Sequence, residues 1–294
     1  MNLIVGATGL LGGEICRRLA EDNKPVRALV RSTSDPAKVA ALDGYGVETV
    51  TGDVRDCVSL EHACHGVKTV LSTVSALPFS YDPAENNIQT VDHDGLMNLI
   101  AAAGPAGVEH FIYISFTMDN EFPLRDAKRA VERTLKESGL NYTILRPSYF
   151  MEFWLSPAVG FDAENAKVQI YGSGENPISW ISYKDVGHFA IECINNPLAD
   201  KATLKIGGPE ALSQLQSVQI FEQLHGKPFE LKHIPEEALK AQLQEASDPA
   251  QKSFSGLMLG YARGDKLEMQ EILQDFPIKL KHVREYAEEM FVPA

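Results

Sequence analysis

The chain has 294 residues, 44% of them hydrophobic and 23% charged, which suffices for one large domain or two ordinary ones around a sizeable core. Its net charge of −13 argues against a nucleic-acid-binding surface, because such surfaces need clustered lysine and arginine. No apolar run is long enough to span a bilayer and no signal-peptide pattern precedes the first strand, so we expect a cytoplasmic protein without membrane contacts.

The first predicted strand, Leu3 to Val5, runs through a glycine-rich turn into a helix over Leu10 to Ala20. Backbone N–H groups and the positive helix end meet there, which suits a pyrophosphate. The spacing is G-x-x-G-x-x-G rather than the commoner G-x-G-x-x-G, and an ordinary strand-to-helix turn is the alternative. Gly6 would allow the turn, Gly9 the approach of phosphates, and Gly12 close packing of helix and strand. The predicted phosphate-binding residues are Gly6, Thr8, Gly9, Leu10, Leu11 and Gly12.

The second predicted strand, Val26 to Val30, ends at Arg31. A cofactor without a 2′-phosphate usually meets an acidic residue at this point, hydrogen-bonded to the ribose hydroxyls. A guanidinium pairs instead with a phosphate and stacks on adenine, and Ser32, Thr33 and Ser34 offer hydroxyl donors. We therefore predict a preference for NADP(H), with a solvated surface arginine as the alternative.

Two further strand ends offer cofactor contacts at the same edge of the predicted sheet. After the third strand, Val47 to Thr51, Asp53 would accept from the adenine amino group while Val54 packs on the ring. Asp53 or Asp56 would equally serve as the N-cap of a helix near Ser59 to Cys64. The fourth strand, Thr69 to Thr73, brings small and hydroxyl side chains close to the ribose and pyrophosphate, namely Ser72, Thr73 and Val74.

Strands and helices continue to alternate up to about residue 148, which implies a doubly wound parallel sheet with right-handed crossovers. The fold class is therefore α/β. The remaining elements of this half are a short helix from Asp35 to Leu42, a loop from Leu77 to Glu85, a long helix from Asn86 to Ala103, a fifth strand from His110 to Ser115, a helix from Phe122 to Ser138, and a sixth strand that begins at Tyr142 to Leu145 and ends at Pro147.

From Tyr149 the pattern breaks into shorter elements. We predict a helix over Tyr183 to Ile194, a strand over Thr203 to Ile206, and mainly helices from Leu212 onward. The division is thus a Rossmann domain over residues 1–148 and a smaller α+β substrate-covering region over 149–294, partly interleaved with the sheet.

The usual proton donor of short-chain dehydrogenases, the tyrosine of Y-x-x-x-K, is missing. Lys128 lies in the helix after the fifth strand, but Leu124 stands four residues before it. No tyrosine in the chain has a lysine four positions later. The four cysteines form no C-x-x-C pair, and Cys57, Cys64 and His65 lack a second ligand pair, so we predict buried free thiols and no metal.

The chain resembles the NmrA-like branch of the atypical short-chain dehydrogenases, which includes NADPH-dependent quinone and isoflavone-type reductases. The resemblance covers nearly the whole chain and implies an extended Rossmann domain with a small C-terminal substrate domain. The family also contains redox sensors that bind the cofactor without turning it over. The residues that carry the resemblance are Gly6 to Gly12, Leu29-Val30-Arg31, Gly52-Asp53-Val54, Leu145 to Glu152 and Ile178 to Val186.

The resemblance implies that Lys128 would hydrogen-bond the nicotinamide ribose or, with a pKa lowered by burial, act as the general acid. The alternative is a lysine on the surface of its helix. Tyr81 and Tyr149 are substitute acids or pocket wall, and Ser115 lies where the usual catalytic serine lies. Phe150, Phe153 and Trp154 would form either core or a flat wall for a planar substrate. Cofactor contacts are also expected from Ser115, Pro147, Tyr149 and Phe150.

The sequence therefore predicts an oxidoreductase that transfers hydride from NADPH to a quinone or enone-like small molecule. Such acceptors need little acid catalysis, which makes the missing tyrosine tolerable. A non-catalytic NADP(H) sensor is the alternative, and a sugar-nucleotide epimerase or dehydratase is a weaker third reading because those enzymes depend on the Tyr-Lys pair. The sequence leaves open whether the protein is a monomer or a homodimer.

Overall fold

The structure is a computed structural model that describes residues 1–78 and 81–291. The chain divides into two compact units. The first unit consists of Met1–Ser115, Pro123–Arg146 and Gly187–Leu204, and the second of Phe116–Phe122, Pro147–Val186 and the chain from Lys205 onward.

The main sheet has seven strands in the order β3-β2-β1-β4-β5-β6-β9. Strands β1 to β6 pair in parallel, so their carboxyl ends lie at one edge. The chain order reverses between β1 and β4, as in doubly wound dinucleotide-binding folds. The predicted α/β fold class is confirmed. The strands of this sheet are β1 (Asn2–Val5), β2 (Val26–Val30), β3 (Glu48–Thr51), β4 (Thr69–Ser72), β5 (His110–Ile114), β6 (Asn141–Pro147) and β9 (Ala202–Ile206).

Helices connect the parallel strands and begin largely where the sequence predicts. Asp35 caps α2 by accepting from the Ala37 N–H at 2.9 Å. Asp56, not Asp53, caps α3, accepting from the Val58 N–H at 3.0 Å. The α-helices are α1 (Leu10–Glu21), α2 (Pro36–Gly44), α3 (Cys57–Cys64), α4 (Leu96–Ala103), α5 (Pro123–Glu137), α6 (Met151–Trp154), α7 (Tyr183–Glu192), α8 (Gln214–His225), α9 (Glu236–Glu245), α10 (Pro249–Arg263), α11 (Gln270–Asp275) and α12 (Val283–Phe291).

The long helix predicted from Asn86 to Ala103 differs in its first half. A π-helical segment occupies Ile88–Gly95, and only α4 is α-helical. Asn87 and Thr90 form a capping box, which fixes the start of the segment, whereas Asn86 exchanges backbone hydrogen bonds with Asp82. Single π-helical turns occur frequently at functional sites. Residues 79–80 of the loop predicted before this helix lie outside the described residues.

The second unit contains a small sheet that the sequence did not predict. Its order is β10-β8-β7, with β10 parallel and β7 antiparallel to β8. The prediction of mainly helices from Leu212 agrees with the five helices α8 to α12 but omits β10, whose mostly exposed residues carry little apolar signal. The strands are β7 (Phe161–Asp162), β8 (Lys167–Tyr171) and β10 (Glu230–Ile234).

Each unit has its own hydrophobic core. The first is built from one face of the sheet and helices α3, α4 and α5, the second from α6, α8, α10 and the small sheet. Cys16, Cys64 and Cys193 are buried free thiols as predicted, but Cys57 is exposed because it begins α3 at the surface. Over residues 1–78 and 81–291, no helix has the length and apolar character needed to cross a membrane.

Candidate functional site: the carboxyl edge of the parallel sheet

The turn between β1 and α1 is too tight for side chains at two of its glycines. Gly6 has φ +91°, and a Cβ there would lie 2.6 Å from Thr73 Oγ1. A Cβ on Gly12 would lie 2.2 Å from the carbonyl oxygen of Gly6, so α1 packs directly on the turn. Glycine is required at both positions for the turn, helix and strand to approach one another.

The start of α1 presents backbone N–H groups with no side-chain cap, because the N-cap residue is Gly9. Gly9 and Leu10 are exposed, Thr8 is half-buried, and Leu11 and Gly12 are buried. Uncapped N–H groups and the helix dipole together favour an anion at this point. The geometry thus suits the predicted phosphate-binding role.

Arg31, at the end of β2, is half-buried and already positioned by neighbours. Its Nη1 donates to Asn86 Oδ1 at 3.2 Å, and its backbone N–H donates to Ser34 Oγ at 3.0 Å. Asn86 is itself buried. Sequence reasoning missed Asn86, because no local pattern indicates that the loop after β4 returns to β2.

The two residues expected at the adenine are both engaged within the protein. The carboxylate of Asp53 accepts from Arg55 Nε at 2.9 Å and from Arg55 Nη2 at 2.7 Å. These hydrogen bonds outweigh burial and lower the pKa of Asp53. Val54 is buried, and a Cβ on Gly95 would lie 2.6 Å from its Cγ2. Their contacts with adenine stay predictions.

The end of β4 lies directly beside the glycine turn. The Thr73 hydroxyl donates to the carbonyl of Val5 at 3.3 Å, which ties the end of β4 to the end of β1. Ser72 is fully buried and Val74 is half-buried. Ser72, Thr73 and Val74 therefore lie at the carboxyl end of β4. This is the end of the strand that is expected to face the ribose and pyrophosphate.

Lys128 of α5 is buried, with only 5% of its surface exposed, which excludes the surface alternative. Its Nζ donates to the carbonyl of Ile114, the last residue of β5, at 3.4 Å. Asp92 Oδ1 lies 3.8 Å from Nζ, and the ring centroid of Tyr113 lies 5.4 Å from it. Lysine is almost never buried unless it is paired, so the carboxylate of Asp92 accounts for its position.

Burial acts on both members of this pair. It lowers the pKa of Lys128, and the charges of Asp92 and Glu132 offset that effect in part. It raises the pKa of Asp92, against the charge of Lys128 and hydrogen bonds from Ser75 and Ala76. Both shifts favour the neutral forms, and titratable groups with shifted pKa values concentrate at functional sites. Sequence reasoning found Lys128 but missed Asp92 and Tyr113.

Ser115, the residue after β5, belongs to a different buried network. Its Oγ accepts from Arg129 Nη1 at 3.0 Å and also hydrogen-bonds Glu132. Arg129 and Arg146 both pair with the Glu132 carboxylate. The Ser115 hydroxyl is thus held by side chains of the fold, and its predicted cofactor contact stays a prediction.

The two candidate tyrosines differ in their surroundings. Tyr81 is half-buried and packs against the core of the first unit. Tyr149 is 1% exposed in the second unit, where its ring contacts those of Trp154 and Tyr261, with centroids 4.8 Å and 5.4 Å away. Burial raises the pKa of Tyr149 well above its usual value, so its hydroxyl stays protonated at neutral pH.

The residues after β6 lead into the aromatic core of the second unit. Pro147 ends β6 and its carbonyl accepts from the Thr117 N–H at 3.2 Å. Phe150 is half-buried at the N-cap of α6, and Phe153 and Trp154 pack edge to face. Trp154 is buried in this core, while Phe150 and Phe153 are only partly buried.

A parallel sheet of this order with a glycine turn at its switch point defines a Rossmann-type protein. The chain belongs to the NmrA-like family, whose model matches residues 2–286. This confirms the resemblance seen in the sequence.

Curated relatives include both enzymes and an assembly factor. The chain is 31% identical over 232 residues to an NAD(P)H azoreductase from Xenophilus azovorans, covering 78% of this chain and 75% of the relative. It is 28% identical over 282 residues to the isoflavone reductase homolog IRL of Zea mays, covering 90% and 87%. It is also 28% identical over 242 residues to the photosystem II assembly factor Ycf39 of Synechocystis, covering 81% and 72%.

Among solved structures, an NADPH-dependent quinone oxidoreductase from Escherichia coli, complexed with NADPH, superposes with a TM-score of 0.80 at 23% identity, covering 99% of this chain and 100% of that one. A structure of isoflavone reductase gives a TM-score of 0.78 at 24% identity, covering 98% of each chain. At this identity the likeness shows the fold.

Proposed function

We propose that this chain is an NADP(H)-dependent reductase that delivers hydride to a quinone or an enone-like planar molecule. The observation that carries the proposal is the buried lysine of α5, held next to the last carbonyl of β5 at the ligand-binding edge of a Rossmann sheet. A lysine at that place, with a carboxylate partner, is suited to proton transfer. The named activities of the azoreductase and the quinone oxidoreductase agree with it.

The residues of the first unit fit the cofactor. The close approach at Gly6 and Gly12 and the uncapped start of α1 would receive the pyrophosphate. Arg31, anchored by Asn86, would pair with the 2′-phosphate and so select NADP(H). When bound, NADPH supplies the hydride.

Lys128 would supply the proton that reduction of the acceptor consumes. An enone that gains hydride on carbon, or a quinone that gains it on carbon or on one oxygen, develops negative charge on a carbonyl oxygen, and one proton completes the reaction. The lowered pKa of Lys128 brings it nearer the working pH, where a general acid is most effective. Tyr81 and Tyr149 remain candidate acids for acceptors that Lys128 does not reach.

The test is the loss of NADPH absorbance with a panel of quinones, enones and an azo dye, using purified protein and NADH in parallel. We expect turnover with at least one planar acceptor and a preference for NADPH over NADH. Simple aliphatic ketones serve as the negative control, because their alkoxide needs the strong acid catalysis that the missing tyrosine would give. Binding of NADPH without turnover of any acceptor would contradict the reductase.

A second candidate is an NADP(H)-binding regulatory protein that does not turn the cofactor over. Two observations favour it: Leu124 stands where the usual tyrosine would, and a relative of similar identity is an assembly factor. Such a protein would bind NADP⁺ and NADPH in a calorimetric titration and consume neither in the presence of the acceptor panel. The same panel therefore distinguishes the two.

A further inference from the structure

The side chain of Asp92 is fully buried, at 0% exposure, in the π-helical segment Ile88–Gly95. Its Oδ2 accepts from the Ala76 N–H at 3.0 Å, in the turn that follows β4. Its Oδ1 lies 3.8 Å from Lys128 Nζ, and Ser75 also hydrogen-bonds the carboxylate. One carboxylate thus connects the π-helical segment, the turn after β4 and the lysine of α5.

The other groups that face Lys128 leave Asp92 as its main counter-charge. Glu132 lies one turn further along α5, but its carboxylate is taken up by Arg129 and Arg146. Tyr113 of β5 offers its ring face to the ammonium, and burial keeps its hydroxyl protonated. Arg129 repels the ammonium. Without Asp92, the buried positive charge of Lys128 would keep only the weaker compensation from Glu132, the ring of Tyr113 and the carbonyl of Ile114.

We propose that Asp92 is the positioning residue for Lys128: through Oδ1 it keeps the ammonium charged at the end of β5, and through Oδ2 it fixes the turn after β4 against the same point. The proposal rests on the proposed function, in which Lys128 donates a proton. Asp92 itself touches neither substrate nor cofactor in this role.

Asp92→Asn tests the charge while keeping the shape. The amide oxygen can still accept from Ala76, so the turn is retained and only the negative charge is lost. Asp92 raises the pKa of Lys128, so its removal lowers that pKa and Lys128 loses its proton at lower pH. Turnover that needs the ammonium then falls earlier as pH rises, and we expect the alkaline limb of the kcat profile to move by about one pH unit toward acid.

Glu14→Gln is the matched control. Glu14 is also a largely buried carboxylate of the first unit, but its partners are Arg17 and Arg18 on α1. We expect its alkaline limb to coincide with that of the wild type. A limb unmoved in Asp92→Asn, or moved equally in Glu14→Gln, would overturn the proposal.

A double-mutant cycle on urea unfolding gives a readout that needs no turnover. Asp92→Asn, Lys128→Met and the double variant are compared with the wild type. We expect the double variant to have a higher midpoint than the sum of the two single shifts predicts, because in each single variant the remaining group must either stay charged without its partner or change its protonation state. Additive shifts would contradict the pairing.

If the wild type turns over no acceptor, the reductase proposal fails while the cycle still reports on the pair. Coupling without a pH shift would reduce Asp92 to a structural role and overturn positioning.

Discussion

Helix α5 takes part in two buried ionic contacts, one through its own Glu132 and one between its Lys128 and Asp92 of the π-helical segment, and the two differ in how the charges are compensated. Glu132, 2% exposed, receives Arg129 Nη1 at 2.7 Å and a second guanidinium from Arg146. Burial alone would raise the pKa of Glu132, but the hydrogen bonds and charges of its partners outweigh burial and lower it. Asp92 meets one lysine at 3.8 Å, and there burial dominates and the pKa is raised.

The Glu132 cluster is thus a structural ion pair, whereas the Asp92–Lys128 pair is suited to a change of protonation state. Around Glu132, short hydrogen bonds to planar guanidinium groups fix the charged state, which suits a cluster that joins α5 to β6. The distance of 3.8 Å between Asp92 Oδ1 and Lys128 Nζ is longer than a hydrogen bond. The attraction between the two charges therefore does not fully offset the cost of burying them. The partners of Glu132 favour its charged form, whereas burial of the Asp92–Lys128 pair favours the neutral forms, which is what a proton donor requires.

The largest expected effect comes from Glu132→Gln. Removing this carboxylate takes away the ionic partner that two half-buried guanidinium groups share, and we expect a loss of about 2–3 kcal/mol in the free energy of unfolding. Urea denaturation measures it. The control is Glu21→Gln, which removes the exposed partner of Arg17 and should change stability by less than about 1 kcal/mol. Equal effects of the two variants would show that the Glu132 cluster is not structural.

The pH dependence of stability sharpens the same prediction. The folded pKa of Glu132 lies below its unfolded value of about 4.3, so its contribution is fully present above that pH. It is lost as the pH falls through the lowered folded pKa. Between neutral pH and about pH 3, the wild type should therefore lose more stability than Glu132→Gln. Parallel curves would contradict an ionised Glu132 in the folded state.

Lys128→Met should have the opposite balance, with a large effect on turnover and a smaller one on folding. Methionine fills a similar volume, and Asp92, whose pKa is already raised, can take up a proton in place of its partner. We expect kcat to fall by about 30-fold with the best acceptor, below the roughly 100-fold or more of an ordinary general acid, because quinones and enones need little acid catalysis. The rate of NADPH consumption and the midpoint of urea unfolding are measured on the same preparation of the variant. A variant less stable than Glu132→Gln with unchanged kcat would reverse the comparison.

The sequence predicted the first unit well because its signals are local. Apolar strands, a glycine turn and capping residues such as Asp35 lie within a few residues of the elements they define. The partners of the site are not local: Asn86 reaches Arg31 across 55 residues, and Asp92 reaches Lys128 from another helix. The small sheet was not predicted for a related reason. Strand β10 is defined by its pairing with β8 and not by an apolar pattern of its own.

Arg31→Ala has the smallest of these expected effects. It tests cofactor selection by Arg31 separately from the roles of Asp92 and Lys128. The half-buried guanidinium already hydrogen-bonds Asn86 at 3.2 Å, so a 2′-phosphate would find it ordered. We expect the dissociation constant for NADPH to rise by about 10-fold while that for NADH changes little, because a charge-assisted contact to phosphate is worth about 1.5–3 kcal/mol. Arg55→Ala removes an equal charge from the same edge, but its guanidinium is held by Asp53. If Arg55→Ala weakened NADPH as much as Arg31→Ala, the selection would come from general positive potential and not from a contact made by Arg31.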